Sequence, residues 1–204
     1  MARRPSASPR AVARRVAELT SLQYQLRIEL RDVQPLVWRR LLVPDTLTLG
    51  KLHAVLQAVM GWHGGHLHEF HIARCRYGIP DEEGWQEDDP LYDERRYRLK
   101  GFIETGARRF TYLYDFGDGW EHTIKVEDLV VPDTKGPRTR CIAGENACPP
   151  EDVGGPHAYL DFLAALRDPT HEEHASMTAW IGRTFDPSAF EMDDVNERLA
   201  EIKI

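Results

Sequence analysis

The segment Tyr114–His122, with the sequence YDFGDGWEH, concentrates carboxylates, aromatic rings and a histidine around two glycines. Asp118 and His122 offer oxygen and nitrogen atoms of the kind that hold a divalent cation. His66 and His68 stand two residues apart in an alternating stretch, so a strand would project both imidazoles from one face. If that strand is a neighbour of the turn, the four candidate metal ligands are His66, His68, Asp118 and His122.

The same segment also has the composition of a hairpin loop. Gly117, Asp118 and Gly119 accept the positive φ angles that a short loop requires. Extended segments at Tyr112–Phe116 and Trp120–Val126 would flank the loop. We favour the interpretation as a structural hairpin over the interpretation as a functional site. Alternation would then place Tyr114, Phe116 and Trp120 on the core face, with Asp115 and Asp118 toward solvent.

The metal hypothesis lacks the spacing of a known zinc signature. No HExxH occurs, and six residues separate Cys141 from Cys148, where zinc-binding pairs have about two to four. Strand histidines more often hydrogen-bond to the backbone or to nearby acids. We therefore predict no cofactor, although a divalent metal could bind.

A second dense segment, Gly144–Gly155, has the sequence GENACPPEDVGG. Its two prolines favour a stiff extended piece, and Pro156 suits the first turn of a following helix. The segment is interpreted as a rigid surface loop whose carboxylates stabilise the N-terminus of the following helix. Alternatively, the same carboxylates are candidates for acid/base chemistry or metal binding. With the hairpin, this segment defines a candidate binding surface: Tyr114, Asp115, Asp118, Trp120, Glu121, Pro149, Pro150, Glu151 and Asp152.

Signatures of common enzyme classes are absent from the sequence. There is no nucleophile elbow, phosphate loop or dinucleotide fingerprint, which removes support for standard nucleotide and acyl-transfer chemistry. Cys148 has no adjacent cation in the sequence that would lower its pKa, so we interpret it as an ordinary thiol.

The composition is that of a globular protein. Hydrophobic residues make up 42% of the 204 residues, and no apolar run approaches the length of a membrane span. The N-terminus lacks the apolar region of an export signal, and three cysteines argue against a disulfide framework. These features predict a cytoplasmic protein that does not associate with membranes.

Charge is distributed unevenly along the chain. Residues 1–20 contain five Arg and one Glu, and we expect them to be a disordered basic tail. Since this tail carries +4 and the whole chain −7, residues 21–204 carry −11. A broad nucleic-acid footprint needs excess Lys and Arg, so DNA contact is expected through the Arg-rich tail only.

Periodicity predicts the elements that must position these motifs. Strands are expected at Leu22–Leu30 and Val37–Val43, followed by a helix that begins at Thr46 or Thr48 and ends at Gly61. Further strands are expected at His66–Tyr77, Tyr97–Ile103 and Glu121–Val131, and Arg109–Tyr114 leads into the YDFGDGWEH segment. An acidic loop is expected at 79–94 and a long structured loop at 132–155.

The last third changes to helical spacing, at Ala158–Leu166, Glu172–Ile181 and Met192–Ile202. Strands early and helices late predict an α+β fold. We expect an antiparallel or mixed sheet of about five or six strands, one early helix and a helical C-terminal third, all in a single domain at 21–204.

The chain resembles the plasmid pRiA4b ORF-3-like family. The opening YQLRIELRDVQPLVWRRLLVP, the Leu49–Phe70 segment, YDFGDGWEH and CPPEDVGG carry the resemblance, and FDPSAFEMDDVNERL also fits. The resemblance spans about residues 22–200 and implies a compact α+β domain. It implies no reaction, although some members are labelled as passengers of insertion elements or with a resolvase-like name.

Two functions from different classes are compatible with these observations. The favoured one is a non-catalytic binding or accessory module, associated with plasmids or mobile elements, that contacts an unknown protein or nucleic acid. The alternative is a metal-assisted hydrolase or nuclease, in which imidazoles and carboxylates hold an ion that activates water. Its candidates are His66, His68, Asp118, Glu121, His122, Glu151 and Asp152.

Overall fold

The computed structural model describes residues 22–80, 90–133 and 136–203. The basic tail at 1–20 and most of the acidic loop, at 81–89, lie outside the described residues. The described strands are β1 (Gln23–Leu30), β2 (Trp38–Pro44), β3 (His68–Ile72), β4 (Cys75–Gly78), β5 (Leu91–Asp93), β6 (Arg109–Tyr114), β7 (Trp120–Val130) and β8 (Arg140–Glu145). The α-helices are α1 (Leu49–Met60), α2 (Leu99–Glu104), α3 (Gly155–Arg167), α4 (His174–Ile181) and α5 (Met192–Ala200).

One mixed sheet organises the described chain, in the order β5-β4-β3-β6-β7-β1-β2-β8. All neighbours are antiparallel except β4 and β5, which are parallel. The alternation predicted for β1 is confirmed, since Leu26 and Ile28 are fully buried and pair with neighbours in β7. The α+β class is therefore confirmed, with eight strands where five or six were expected.

Helix α1 follows the first hairpin and covers the sheet. Thr48 is its N-cap and accepts a hydrogen bond from Lys51 N at 3.3 Å. Gly61 ends it in the left-handed conformation, φ 80°, and donates to Gln57 O. The apolar face is fully packed against the core: Leu49, Leu52, Val55, Leu56 and Val59.

The predicted strand at His66–Tyr77 is instead a hairpin of two strands, β3 and β4. Ala73 and Arg74 form its turn with φ angles of 50° and 68°. Neither residue is a glycine, so the sequence carried no turn signal there. His66 precedes β3, and the two-residue alternation does not extend back to it.

The other departures are in short elements. The expected strand at Tyr97–Ile103 is helix α2, where Leu99 and Ile103 are buried one turn apart. The C-terminal end of the acidic loop forms β5 and a 3₁₀ helix, Glu94–Arg96. The loop at 132–155 contains β8, which pairs with β2. Among the described residues, two α-helices, α1 and α2, precede the helical C-terminal third, where one was expected.

The three helices predicted near the C-terminus are confirmed as α3, α4 and α5. Helix α5 lies against the edge of the sheet and against α1, because Asn196 bonds both backbone groups of Cys141 and Arg198 donates to Ala58 O at 2.8 Å. Within the described ranges, no helix combines the length and the apolar content needed to cross a bilayer.

Candidate binding surface

The β6–β7 turn is built around Asp115. The backbone of Asp115 has φ 55°, and its side-chain Oδ1 accepts hydrogen bonds from Gly117 N at 2.9 Å and Asp118 N at 3.3 Å. Gly119, with φ 71°, donates to Asp115 O. The carboxylate therefore satisfies the backbone donors of the turn that links the two strands.

The predicted hairpin is confirmed, but the predicted facing of its tip is partly wrong. Tyr114 and Trp120 are buried as expected. Phe116 is 50% exposed, and Asp115 is only 9% exposed. The left-handed backbone at Asp115 ends the strand after Tyr114 and interrupts the alternation, which turns Phe116 outward.

The CPPEDVGG segment packs directly onto this turn. Asp118 Oδ2 accepts hydrogen bonds from Gly154 N at 3.1 Å and from Trp120 Nε1 at 3.2 Å. Gly155 has φ 84°, and a Cβ atom at this position would lie 2.3 Å from Asp118 O. Only glycine permits that approach, so the contact of two motifs far apart in sequence depends on Gly155.

Glu151 anchors the same segment to the core. Its carboxylate accepts hydrogen bonds from the Tyr114 hydroxyl and from His63 N, the latter at 2.9 Å. Burial and the neighbouring Glu151 carboxylate both raise the pKa of Tyr114, so its hydroxyl is a protonated donor. Trp62 Nε1 donates to Pro149 O at 3.0 Å and fixes the proline pair.

His66 lies between the two segments. Its Nε2 is 2.9 Å from Asp152 Oδ1, and its Nδ1 is 3.4 Å from Asp115 Oδ2. The imidazole is 36% exposed and the Asp152 side chain 68% exposed, so both are open to solvent. One ligand atom from each of these three side chains lies within 4.8 Å of the others, a spacing compatible with a metal ion.

The four ligands proposed from the sequence do not converge on one point within the described part of the chain. His68 is buried and pairs with Glu94 at 2.9 Å. His122, in β7, is fully buried, and burial lowers its pKa to about 4. Asp118 holds Gly154, as described above, and only His66 belongs to the three-residue group. The four candidate metal ligands therefore lie at separate positions in the described structure.

The nine residues of the candidate binding surface divide into support and contact. Tyr114, Trp120 and Pro149 are buried beneath it, and Asp115 nearly so. Glu121 is partly exposed and pairs with Arg31 at 2.5 Å. Solvent reaches Asp118, Pro150, Glu151 and Asp152. We define the loop surface as three of these solvent-accessible residues together with three accessible neighbours from outside the set: Asp118, Pro150 and Asp152, with His66, Leu67 and Phe116.

The loop surface borders a cleft of about 660 Å³ between the CPPED segment and residues 183–198. Arg39, 3% exposed, holds the cleft wall by donating to Glu145 O at 2.8 Å and Asn146 O at 2.9 Å. Burial raises the pKa of the Cys148 thiol to about 12, so it is protonated at neutral pH, in keeping with an ordinary thiol. The role of Arg39 left no signal in the sequence, because it is one of two adjacent arginines.

The protein is an α+β protein with a mixed sheet of eight described strands, in which the glycine-containing β6–β7 turn packs against the CPPEDVGG segment. Sequence comparison then identifies the family: residues 22–194 match the model of the plasmid pRiA4b ORF-3-like proteins, and the chain belongs to that family.

Two relatives extend the comparison. The chain is 44% identical over 180 residues to uncharacterized protein y4hQ of Sinorhizobium fredii, a match that covers 87% of this chain and 91% of that protein. The fold of this chain is similar to the crystal structure of MM3350, a protein of unknown function from Methanosarcina mazei Go1. That match has a TM-score of 0.77 and 32% identity, and covers 85% of this chain and 97% of the other.

Proposed function

We propose that this protein is a non-catalytic binding module, associated with plasmids or mobile elements, whose loop surface contacts a partner protein. One observation carries the proposal: the hairpin turn and the CPPEDVGG segment are in contact through Asp118 and Gly154, which are about 36 residues apart in sequence. The contact fixes two loops as one continuous surface, which is how scaffolds commonly present binding residues. The family membership supports the association with mobile elements and leaves the partner open.

The chemistry of the loop surface favours a basic partner. Asp152 and Asp118 contribute negative charge, and the six residues of the loop surface include no Lys or Arg. Leu67 and Phe116 are 66% and 50% exposed and supply apolar contact area. A partner segment that combines Arg or Lys with a hydrophobic side chain would complement both features.

Nucleic acid fits the same surface poorly. Phosphate groups require Lys or Arg, and acidic side chains repel them. The nearby Arg31 is already paired with Glu121. Any DNA retention by the full chain is therefore expected to come from the Arg-rich tail rather than from the loop surface.

Metal-assisted hydrolysis is less well supported as the function. Among its seven candidates in the described ranges, His68 and His122 are buried, and Glu151 already accepts two hydrogen bonds. A hydrolytic centre would need its ion, its water and a substrate to meet at one point. Only His66 and Asp152 of that set come together at a solvent-exposed position.

Fluorescence anisotropy with labelled peptides tests the proposed function on the full chain. An Arg/Leu-rich peptide should bind, while a peptide with Glu in place of Arg should not, and added salt should weaken binding. Asp152→Asn and Phe116→Ala should each raise the Kd of the basic peptide about three- to tenfold, because each removes one side of the complementarity.

Two matched variants control for general effects of charge and hydrophobicity. Asp161→Asn removes an exposed carboxylate from α3, and Leu129→Ala removes an apolar side chain, 46% exposed, from the far end of β7. Both should leave the Kd unchanged. Equal binding of the acidic peptide, or equal losses in the control variants, would remove the loop surface as the contact region.

A further inference from the structure

The imidazole of His66 is placed against carboxylates at both ring nitrogens. Nε2 lies 2.9 Å from Asp152 Oδ1, and Nδ1 lies 3.4 Å from Asp115 Oδ2. A neutral imidazole has one N–H donor and one bare acceptor nitrogen. If Nε2 carries the proton and donates it to Asp152, the lone pair of Nδ1 lies 3.4 Å from Asp115 Oδ2, and a cation bound by both atoms would remove their repulsion.

Asp115 reinforces this requirement from the buried side. Its residue is 9% exposed, and its Oδ1 is used by two backbone N–H groups of the turn. In the part of the chain that the structure describes, Oδ2 accepts no hydrogen bond and faces His66. The Asp115 side chain is 13% exposed, so its negative charge is only partly hydrated, and a positive charge at this position would stabilise it.

The three donor atoms also have a spacing that one ion can span. One nitrogen of His66 and one oxygen from each of Asp115 and Asp152 lie within 4.8 Å of one another. Metal–ligand distances of about 2.0–2.2 Å place two ligands of one ion roughly 3 to 4.4 Å apart, so small side-chain rotations suffice. The exposure of His66 and Asp152 leaves room for water to complete the coordination.

From these observations we propose that His66, Asp115 and Asp152 form a binding site for one divalent cation of the zinc class. A nitrogen and two carboxylate oxygens suit Zn²⁺ better than Ca²⁺ or Mg²⁺, which take mostly oxygen ligands. The backbone bonds to Asp115 Oδ1 would hold one ligand in place, as second-shell contacts do in known metal sites.

This cation site goes beyond the binding-module proposal and does not depend on it. An ion at His66 and Asp152 would reduce the negative charge of the loop surface and leave the apolar contacts of Phe116 and Leu67 unchanged. Zn²⁺ binding and peptide binding are measured separately, so failure of one leaves the other proposal standing.

Isothermal titration of ZnCl₂ into the metal-stripped full chain tests the site. The wild type should bind one Zn²⁺ with a Kd in the micromolar range, and CaCl₂ and MgCl₂ should bind at least tenfold more weakly. His66→Ala and Asp152→Asn should each weaken the Zn²⁺ Kd at least tenfold, since each removes one of three ligands. Both side chains are solvent-exposed, so circular dichroism spectra should match the wild type.

His71→Ala is the matched control, because His71 forms another exposed histidine–carboxylate pair, with Glu69 at 2.6 Å. That pair already has Arg76 as a cation, so no ion is needed there. The control should retain wild-type Zn²⁺ affinity. No Zn²⁺ binding by the wild type, or equal binding by all variants, would overturn the proposal.

Discussion

His66 and His68 stand two residues apart and occupy opposite environments. His66 is 36% exposed between two carboxylates on the loop surface. His68 begins β3, has a side chain 3% exposed, and pairs with Glu94 at 2.9 Å. The ring of His68 also stacks on His53 with centroids 3.5 Å apart. The same residue type is therefore a surface group in one place and part of a buried polar network in the other.

The difference shows that burial, not residue type, decides what a histidine can do here. Burial and the neighbouring His68 lower the pKa of His53 to about 3, so His53 is a neutral ring that bonds the Tyr112 hydroxyl at 2.7 Å. Gln57 donates to the same hydroxyl. Hydrogen bonds join His53, Tyr112 and Gln57, although Gln57 Oε1 has no partner among the described residues, whereas His66 and Asp152 are open to solvent.

The buried pair offers the strongest test of this contrast. Glu94→Ala should lower the free energy of unfolding by about 3–5 kcal/mol, because it leaves His68 buried without its partner. Urea denaturation followed by circular dichroism measures the change. The corresponding surface substitution, Asp152→Ala, should cost less than about 1 kcal/mol. Equal losses for the two variants would contradict the distinction between the regions.

In the contact between the CPPEDVGG segment and the β6–β7 turn, Gly155 is the position where a substitution should destabilise the fold most. Gly155→Ala should lower the free energy of unfolding by about 2–4 kcal/mol, because a Cβ atom would meet Asp118 O at 2.3 Å where φ is 84°. Thermal and urea unfolding measure the loss. Gly65→Ala, where a Cβ atom would contact nothing within 4 Å, should change stability by less than about 0.5 kcal/mol. A stable Gly155→Ala variant would mean that the two loops separate at little cost.

The smallest expected effect concerns acid stability. Burial lowers the pKa of His122 to about 4, below the value of 6.5 in an unfolded chain, so the unfolded state binds the proton more tightly. The stability contributed by neutral His122 is complete above pH 6.5 and is lost as the pH falls toward 4. His122→Phe should therefore reduce the loss of stability between pH 7 and pH 4.5 by about 2 kcal/mol.

Urea denaturation at several pH values measures this pH dependence. His157→Phe, a substitution at an exposed position of α3, is the control and should keep the wild-type slope. His53 remains in both variants, so some acid sensitivity should persist. At pH 7 the His122→Phe variant should differ from the wild type by less than about 1.5 kcal/mol, because it removes the Nδ1 contact with Tyr112 O at 3.3 Å and also removes Nε2, which has no hydrogen-bond partner among the described residues.

Much of the fold follows from local signals in the sequence. Alternation identified β1 and β7, an extended run after Pro35 identified β2, and of the two predicted N-caps, Thr46 and Thr48, it is Thr48 that begins α1, which ends at Gly61 as predicted. Elements without such signals were missed, because β4 follows a turn of Ala73 and Arg74, and β8 lies in a breaker-rich segment. Short runs such as Leu99–Glu104 contain too few residues for their periodicity to separate helix from strand.

The candidate site was predictable as motifs and not as an arrangement. The composition of YDFGDGWEH and CPPEDVGG marked two loops, and the hairpin was confirmed. Their mutual contact was not visible, because it depends on a glycine in one loop approaching a carbonyl in the other. The exposure of Phe116 followed from the left-handed backbone at Asp115, which alternation alone does not reveal.

The sequence by itself determined the family, the α+β class and the loops that hold the polar residues, since these depend on local composition and periodicity. Only the tertiary structure decided which histidine faces solvent. His66, His68 and His122 have the same chemistry, and burial separates them because β3 and β7 turn two of the rings into the core. Solvent access is a property of packed neighbours distant in sequence, so the pairing of His66 with Asp152 exists only in the folded chain.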